Sequence, residues 1–179
     1  MAVTKIRPNK KGEKLVTEPA LTASELIAWV EKTSNGWRKL LADNPQLLAA
    51  PCDINSVHTV GQLLQHIVAV ELRFAERLSD LPATDYANVP YDSVEVIYAT
   101  HDQAFALIHK LLNSDRNWDE SIEFSTRVMG PARSTPTTIL FHLLFHSIRH
   151  YAQLATLARH HGVKPDFGMD YLLMDLKPA

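Results

Sequence analysis

Three histidines, His142, His146 and His150, recur at every fourth position within the segment Phe141–Gln153, among Leu143, Leu144, Phe145, Ile148 and Tyr151. On an α-helix, residues four apart stand one above the other. The imidazoles therefore form a stripe on one face, joined by Ile139, Gln153 and Leu157. The other faces carry Leu140, Leu144, Phe145, Ile148, Tyr151 and Leu154, so the helix is apolar nearly all round, the pattern of a buried one. Imidazoles in low dielectric need partners, because an unpaired buried polar group is costly. A metal ion is one such partner, and histidines at i, i+4 are a common way to hold it. His142 and His150 lie about 12 Å apart at a rise of about 1.5 Å per residue, too far for one ion. His142 is therefore expected beside the ligands or at a subunit interface. The competing reading of the stripe is a histidine-rich interface that holds no metal.

Three other residues could contribute chemistry. Downstream of Thr59, at about 100° per residue, Val60, Leu63, Leu64, Ile67, Val68, Phe74 and Leu78 fill an apolar arc. His66 falls at its edge, where a core face meets a cleft or solvent. Glu71 falls near its middle, and a carboxyl group there needs a hydrogen bond, a cation or a metal. An arginine or a helix end would serve equally. His101 lies at the centre of the stripe Val94, Ile97, Ala104, Phe105, Ile108 and Leu112. It is either a core histidine bonded to a backbone carbonyl or a residue that orients a metal ligand.

These residues have to be positioned by helices. The first should open at Thr22, with Glu25 completing a capping box, and end at Asn44-Pro45, weakened midway by Gly36. The second should start at Thr59 with Gln62 as its capping-box partner, and the third at Asp92 with Glu95. The fourth should run from Thr135-Pro136 to about His161 and stop at Gly162. Between them lie three long loops: one holding Pro51, Cys52 and Asp53, one from Leu81 to Pro90, and one over residues 114–134. In the last, Ile122, Phe124 and Val128 hint at a short strand or flap, and Gly130-Pro131 at a turn. Loops of this length often cover a site. The expected class is all-α, a four-helix bundle with long inter-helix loops.

Composition narrows the classes. The 179 residues suit one domain, expected over 21–179 after a solvated tail at 1–20 that carries Lys5, Arg7, Lys10, Lys11 and Lys14. A net charge of −2 argues against a general nucleic-acid surface. No apolar run approaches the roughly 20 residues that span a bilayer, and no signal-peptide core follows Met1. The single cysteine, Cys52, rules out an internal disulfide and fits a cytoplasmic location.

Three stretches resemble the DinB/YfiT-like family. Thr59-Val60-Gly61-Gln62-Leu63-Leu64-Gln65-His66, followed by Glu71, is similar to the family's second helix with its single ligand histidine. His142 through His146 and His150 to Gln153 is similar to its last helix, where paired histidines precede Arg-Gly-Gln. The run from His161 to Asp166 and on through Asp170-Tyr171-Leu172-Leu173 resembles its closing segment. The resemblance covers about residues 22–173. It implies a helical bundle, frequently dimeric, with a divalent metal on His66, His146 and His150. It also implies membership among thiol-dependent S-transferases, hydrolase-like proteins and members with no known reaction. Here Tyr151-Ala152 stands where the pattern has Arg-Gly, so any contact that arginine makes to a substrate or partner is missing.

Three imidazoles leave at least one coordination position open for water or substrate, as catalytic metal sites do. Imidazole suits Zn, Ni, Cu or Fe alike. The expected activity is a metal-dependent S-transferase or hydrolase with a small-molecule substrate, the former using a low-molecular-weight thiol. Glu71 or His101 would orient a ligand or move a proton. The alternatives are a non-catalytic metal- or ligand-binding bundle active in stress response, and a structural dimer module. A helix apolar on every face also suggests a homodimer.

Overall fold

The computed structural model describes residues 20–54, 57–126 and 130–178. The expected N-terminal tail lies outside them save for Ala20, as does Val128 of the expected flap. The chain is mostly helical: α1 (Ala23–Asp43), α2 (Val60–Leu78), α3 (Val94–Leu112) and α4 (Pro136–His160), with an antiparallel hairpin of β1 (Ile122–Thr126) and β2 (Gly130–Ser134) between α3 and α4. The all-α expectation therefore holds for the four long helices but not for the third loop, which pairs with itself. Gly130 and Pro131 were expected to form a turn, yet they open β2, opposite Thr126 and Ser125. Gly130 enters that strand at φ +67°, a conformation glycine adopts without the Cβ penalty. The guanidinium of Arg77 ties the hairpin down, lying 4.7 Å over the Phe124 ring and 5.3 Å over Phe74.

Each helix starts at a hydroxyl side chain that accepts the amide three residues on: Thr22, Thr59, Ser93 and Thr135. Thr22 and Glu25 close the expected capping box. The other two capping expectations need correcting. Gln62 Oε1 accepts the amide of His58 at 2.7 Å, so it reaches past the cap residue and completes no box. The cap of α3 is Ser93, with Asp92 outside the helix, because the shorter hydroxyl sits directly before Val94. Gly36 also has a positive function. A Cβ there would lie 2.4 Å from the Phe167 ring, and that ring packs edge-on against Trp37 at 5.5 Å. The C-terminal segment thus returns along α1, where Trp29 Nε1 donates to Met169 O at 2.7 Å and Lys32 Nζ to Leu173 O at 2.8 Å.

The apolar interior falls into two clusters. One gathers Trp37, Leu41, Leu63, Leu64, Ile67, Tyr98, Tyr151 and Leu154. The other gathers Leu26, Ile27, Val30, Leu72, Leu78, Phe105, Ile108, Leu140 and Leu144. Between the two, each helix contributes a buried polar residue to one connected set: Ser34, Glu71, His101 and Ser147, exposed by 0, 0, 3 and 0%. They bond as a chain. Ser34 Oγ lies 3.1 Å from His101 Nε2, His101 Nδ1 lies 2.7 Å from Glu71 Oε2, and Ser147 Oγ donates to Glu71 Oε1 at 2.7 Å. A buried polar layer of this kind is tolerable only when its members are satisfied together.

Glu71→Ala should therefore take the shared carboxyl partner from both His101 and Ser147 and cost about 3–5 kcal/mol in urea unfolding, the scale for removing one partner of a buried pair. Ser147→Ala should cost about 1–2 kcal/mol. A Glu71→Ala protein within about 1 kcal/mol of wild type would contradict the layer.

Candidate metal centre

His66 sits on α2 and His146 and His150 on α4, and the packing of these two helices brings the three imidazoles together. Each offers a nitrogen, and these atoms all lie within 4.8 Å of one another. The Nε2 atoms of His66 and His146 are 3.1 Å apart, and the ring centroids are separated by 4.4 to 4.9 Å. His146 and His150 are buried, and His66 is half-buried. Two imidazole ligands of one tetrahedral ion, with bonds of about 2.0–2.1 Å, stand roughly 3.3 Å apart. The His66–His146 pair is already close to that spacing, so the donor set fits a metal ion.

The hydrogen bonds around the cluster decide which nitrogens carry lone pairs. Gln153 Oε1 lies 2.6 Å from His150 Nδ1, so that nitrogen carries the proton and Nε2 is left as the acceptor. Arg149 Nη2 points at this Nε2 from 3.2 Å. His146 Nδ1 is buried without a hydrogen bond. Burial, and then the neighbouring charges of His150, His66, Arg149 and His142, push the pKa of His146 far below the usual histidine range. His150 is lowered chiefly by burial, with Gln153 opposing and Arg149 reinforcing. Imidazoles held neutral are the form that a metal requires. Beside them a cavity of about 400 Å³ is lined by Ile54, Arg149, His150 and Gln153.

The other expected site residues lie elsewhere. His142 is exposed, 5.3 Å from the Phe74 ring and 5.8 Å from His146, outside the cluster. Glu71 and His101 bond to each other in the buried layer, and Glu71 finds neither an arginine nor a helix end. His101 likewise bonds to side chains rather than to a backbone carbonyl. Tyr151 is 1% exposed and stacks on Trp37 at 6.5 Å. Sequence reasoning missed Ser34, Ser147 and Arg149. A signal existed for the serines, since each interrupts an apolar series of alternating three- and four-residue steps: Ile27, Val30, Ser34, Trp37, Leu41 and Leu140, Leu144, Ser147, Tyr151, Leu154. For Arg149 nothing marked it beyond standing next to His150.

A model of the DinB family matches residues 17–177. No curated protein matches the chain. Among the described residues no helix is long and apolar enough to cross a membrane.

The depressed histidines set a pH dependence. His146 binds a proton less readily in the folded chain than in the unfolded one, so unfolding takes up protons below about pH 6.5. Its contribution is complete above that pH and is lost as the pH falls. Metal-free protein should lose up to about 1.4 kcal/mol per pH unit from His146 between roughly pH 6.5 and 5, read by urea midpoints. His146→Gln should flatten that slope, and an unchanged slope in the variant would assign it to other groups.

Proposed function

The chain belongs to the DinB family, and from that premise we propose that it is a divalent-metal-dependent enzyme, a thiol-dependent S-transferase or a hydrolase acting on a small molecule. His66, His146 and His150 are its proposed metal ligands. The observation that carries the reading is the cluster itself, three imidazole nitrogens within 4.8 Å, beside an open cavity.

Bound there, zinc, nickel or iron would supply an open coordination position that lowers the pKa of a thiol or a water. The chain's own residues do the positioning. Gln153 holds the proton on His150 Nδ1 and fixes its ring, the task that such outer partners perform at metal sites. Ser147 follows His146 directly and, through Glu71, locks α4 against α2. On this reading Glu71 and His101 act as positioning residues, holding the helices that carry the ligands. The cavity admits the small molecule to the His150 side of the cluster.

The same proposal takes the four helices as one bundle forming a single domain over 21–179, with residues 1–20 as a tail and a cytoplasmic location. It also pairs two copies as a homodimer. Phe145, 52% exposed on α4 in an otherwise apolar stretch, supports that pairing. A second reading, a non-catalytic metal- or ligand-binding protein of stress response, is favoured by one observation. Glu71 and His101, the two candidate proton carriers, are committed to each other in the core.

Elemental mass spectrometry on protein purified without a chelating tag should find about one metal per chain, lost in His146→Ala. Failure to bind zinc, nickel or iron after reloading would end the enzyme reading. Metal-loaded protein should then turn over a small electrophile only when thiol is present, or hydrolyse an activated ester without it. Metal binding with neither activity selects the non-catalytic reading. Light scattering should return twice the chain mass, and a monomer would remove the homodimer.

A further inference from the structure

We propose that Arg149 makes the cavity beside the three imidazoles a recognition site for a carboxylate, so that the molecule bound at this site carries one. The inference rests on the metal reading above and names the chemistry of its ligand.

Arg149 stands exposed on α4 and lines the cavity with Ile54, His150 and Gln153. Three other arginines are matched by acids, Arg38 with Asp102, Arg116 with Asp80 and Glu120, and Arg133 with Glu123, while Arg73, Arg77 and Arg159 donate to backbone carbonyls. Among the described residues no carboxylate bonds to Arg149. Its hydrogen bond goes to a neutral acceptor, His150 Nε2, at 3.2 Å. A guanidinium has five N–H donors in a planar fork, and a single imidazole lone pair uses one of them.

That lone pair is also the one His150 would give a metal, because its Nδ1 proton faces Gln153. The guanidinium and a metal ion exclude each other from it. A dication at the cluster would repel the guanidinium and leave it needing a new acceptor. The charge balance points the same way. Three neutral imidazoles leave the full charge of a dication uncompensated, Arg149 adds another positive charge, and among the described residues the cavity lining contains no acid. A ligand that brings its own negative charge is therefore favoured. A carboxylate matches the fork in two parallel bonds.

The test uses cobalt-loaded full-length protein, whose sulfur-to-cobalt absorption reports a bound thiol. Mercaptoacetate should bind roughly 10- to 100-fold more tightly than mercaptoethanol, the scale of one charge-assisted pair. In Arg149→Gln that preference should vanish while mercaptoethanol binding is unchanged, and Arg149→Lys should keep part of it. If the two thiols bind alike, fumarate is compared with fumaramide while mercaptoethanol is bound. A preference for fumarate that Arg149→Gln abolishes places the carboxylate on the electrophile instead of the thiol. No preference in either arm, or one that survives in Arg149→Gln, overturns the proposal. Should the protein bind neither cobalt nor zinc, nickel or iron, the metal reading fails separately. Acetate is then titrated against the Arg149 Nε–H resonance of the metal-free protein, where a saturable shift supports the carboxylate site and its absence overturns it.

Discussion

The constraint on which the rest of the structure depends is the burial of Glu71. A carboxyl group with no exposed surface must have both oxygens bonded, and here one meets His101 and the other Ser147. His101 passes the chain of bonds on to Ser34. One residue from each of the four helices therefore meets at a single level, between two apolar clusters that would by themselves tolerate several registers. Apolar packing is non-directional, while a hydrogen bond fails within an ångström of misplacement. The layer thus supplies the directional term. Sliding any helix by a turn would bring an apolar residue to this level and leave the others unpaired.

The imidazole cluster inherits its geometry from that layer. His66 precedes Glu71 by five residues on α2, and His146 precedes Ser147 by one on α4. Bonding Ser147 to Glu71 sets the mutual height and rotation of the two helices one step from the cluster. The Nε2 atoms of His66 and His146 accordingly face each other at 3.1 Å without any direct bond between the cluster and the layer being needed. Leu143 O, 3.1 Å from Ser147 Oγ within the same helix, is a second acceptor for the one hydroxyl proton.

Much of this was legible beforehand. The four helices announced themselves through apolar periodicity, helped by the capping threonines of α1 and α2, and the three clustered histidines through four-residue spacing and family resemblance. What escaped did so for physical reasons. Ser93 displaced Asp92 as a cap because either can serve and only backbone geometry chooses between them. Of the hairpin between α3 and α4, the alternation at Ile122 and Phe124 pointed to β1, but β2, Gly130–Ser134, has no apolar alternation of its own and depends on pairing with β1. Gly36 looked like a weakness because its partner, Phe167, lies more than a hundred residues away. Glu71 and His101 were each flagged as anomalies on apolar faces. That they satisfy one another, with a serine on either side, is a fact of packing between helices that no single-helix projection contains.

The chain uses histidine in two electrostatic settings, and the difference bears on chemistry. His101 faces an acid in a sealed layer. His150 faces an amide at the edge of a cavity, with an arginine on its other nitrogen. An acid beside His150 would stabilise the protonated ring and offset the charge of a bound cation. Gln153 fixes the ring's orientation without doing either. His146 and His150 are consequently kept neutral by burial and by the nearby guanidinium. A centre assembled in this way would leave the charge of a bound cation at full strength towards whatever entered the cavity. Selection would then fall on the ligand's own charge more than on the shape of the cavity.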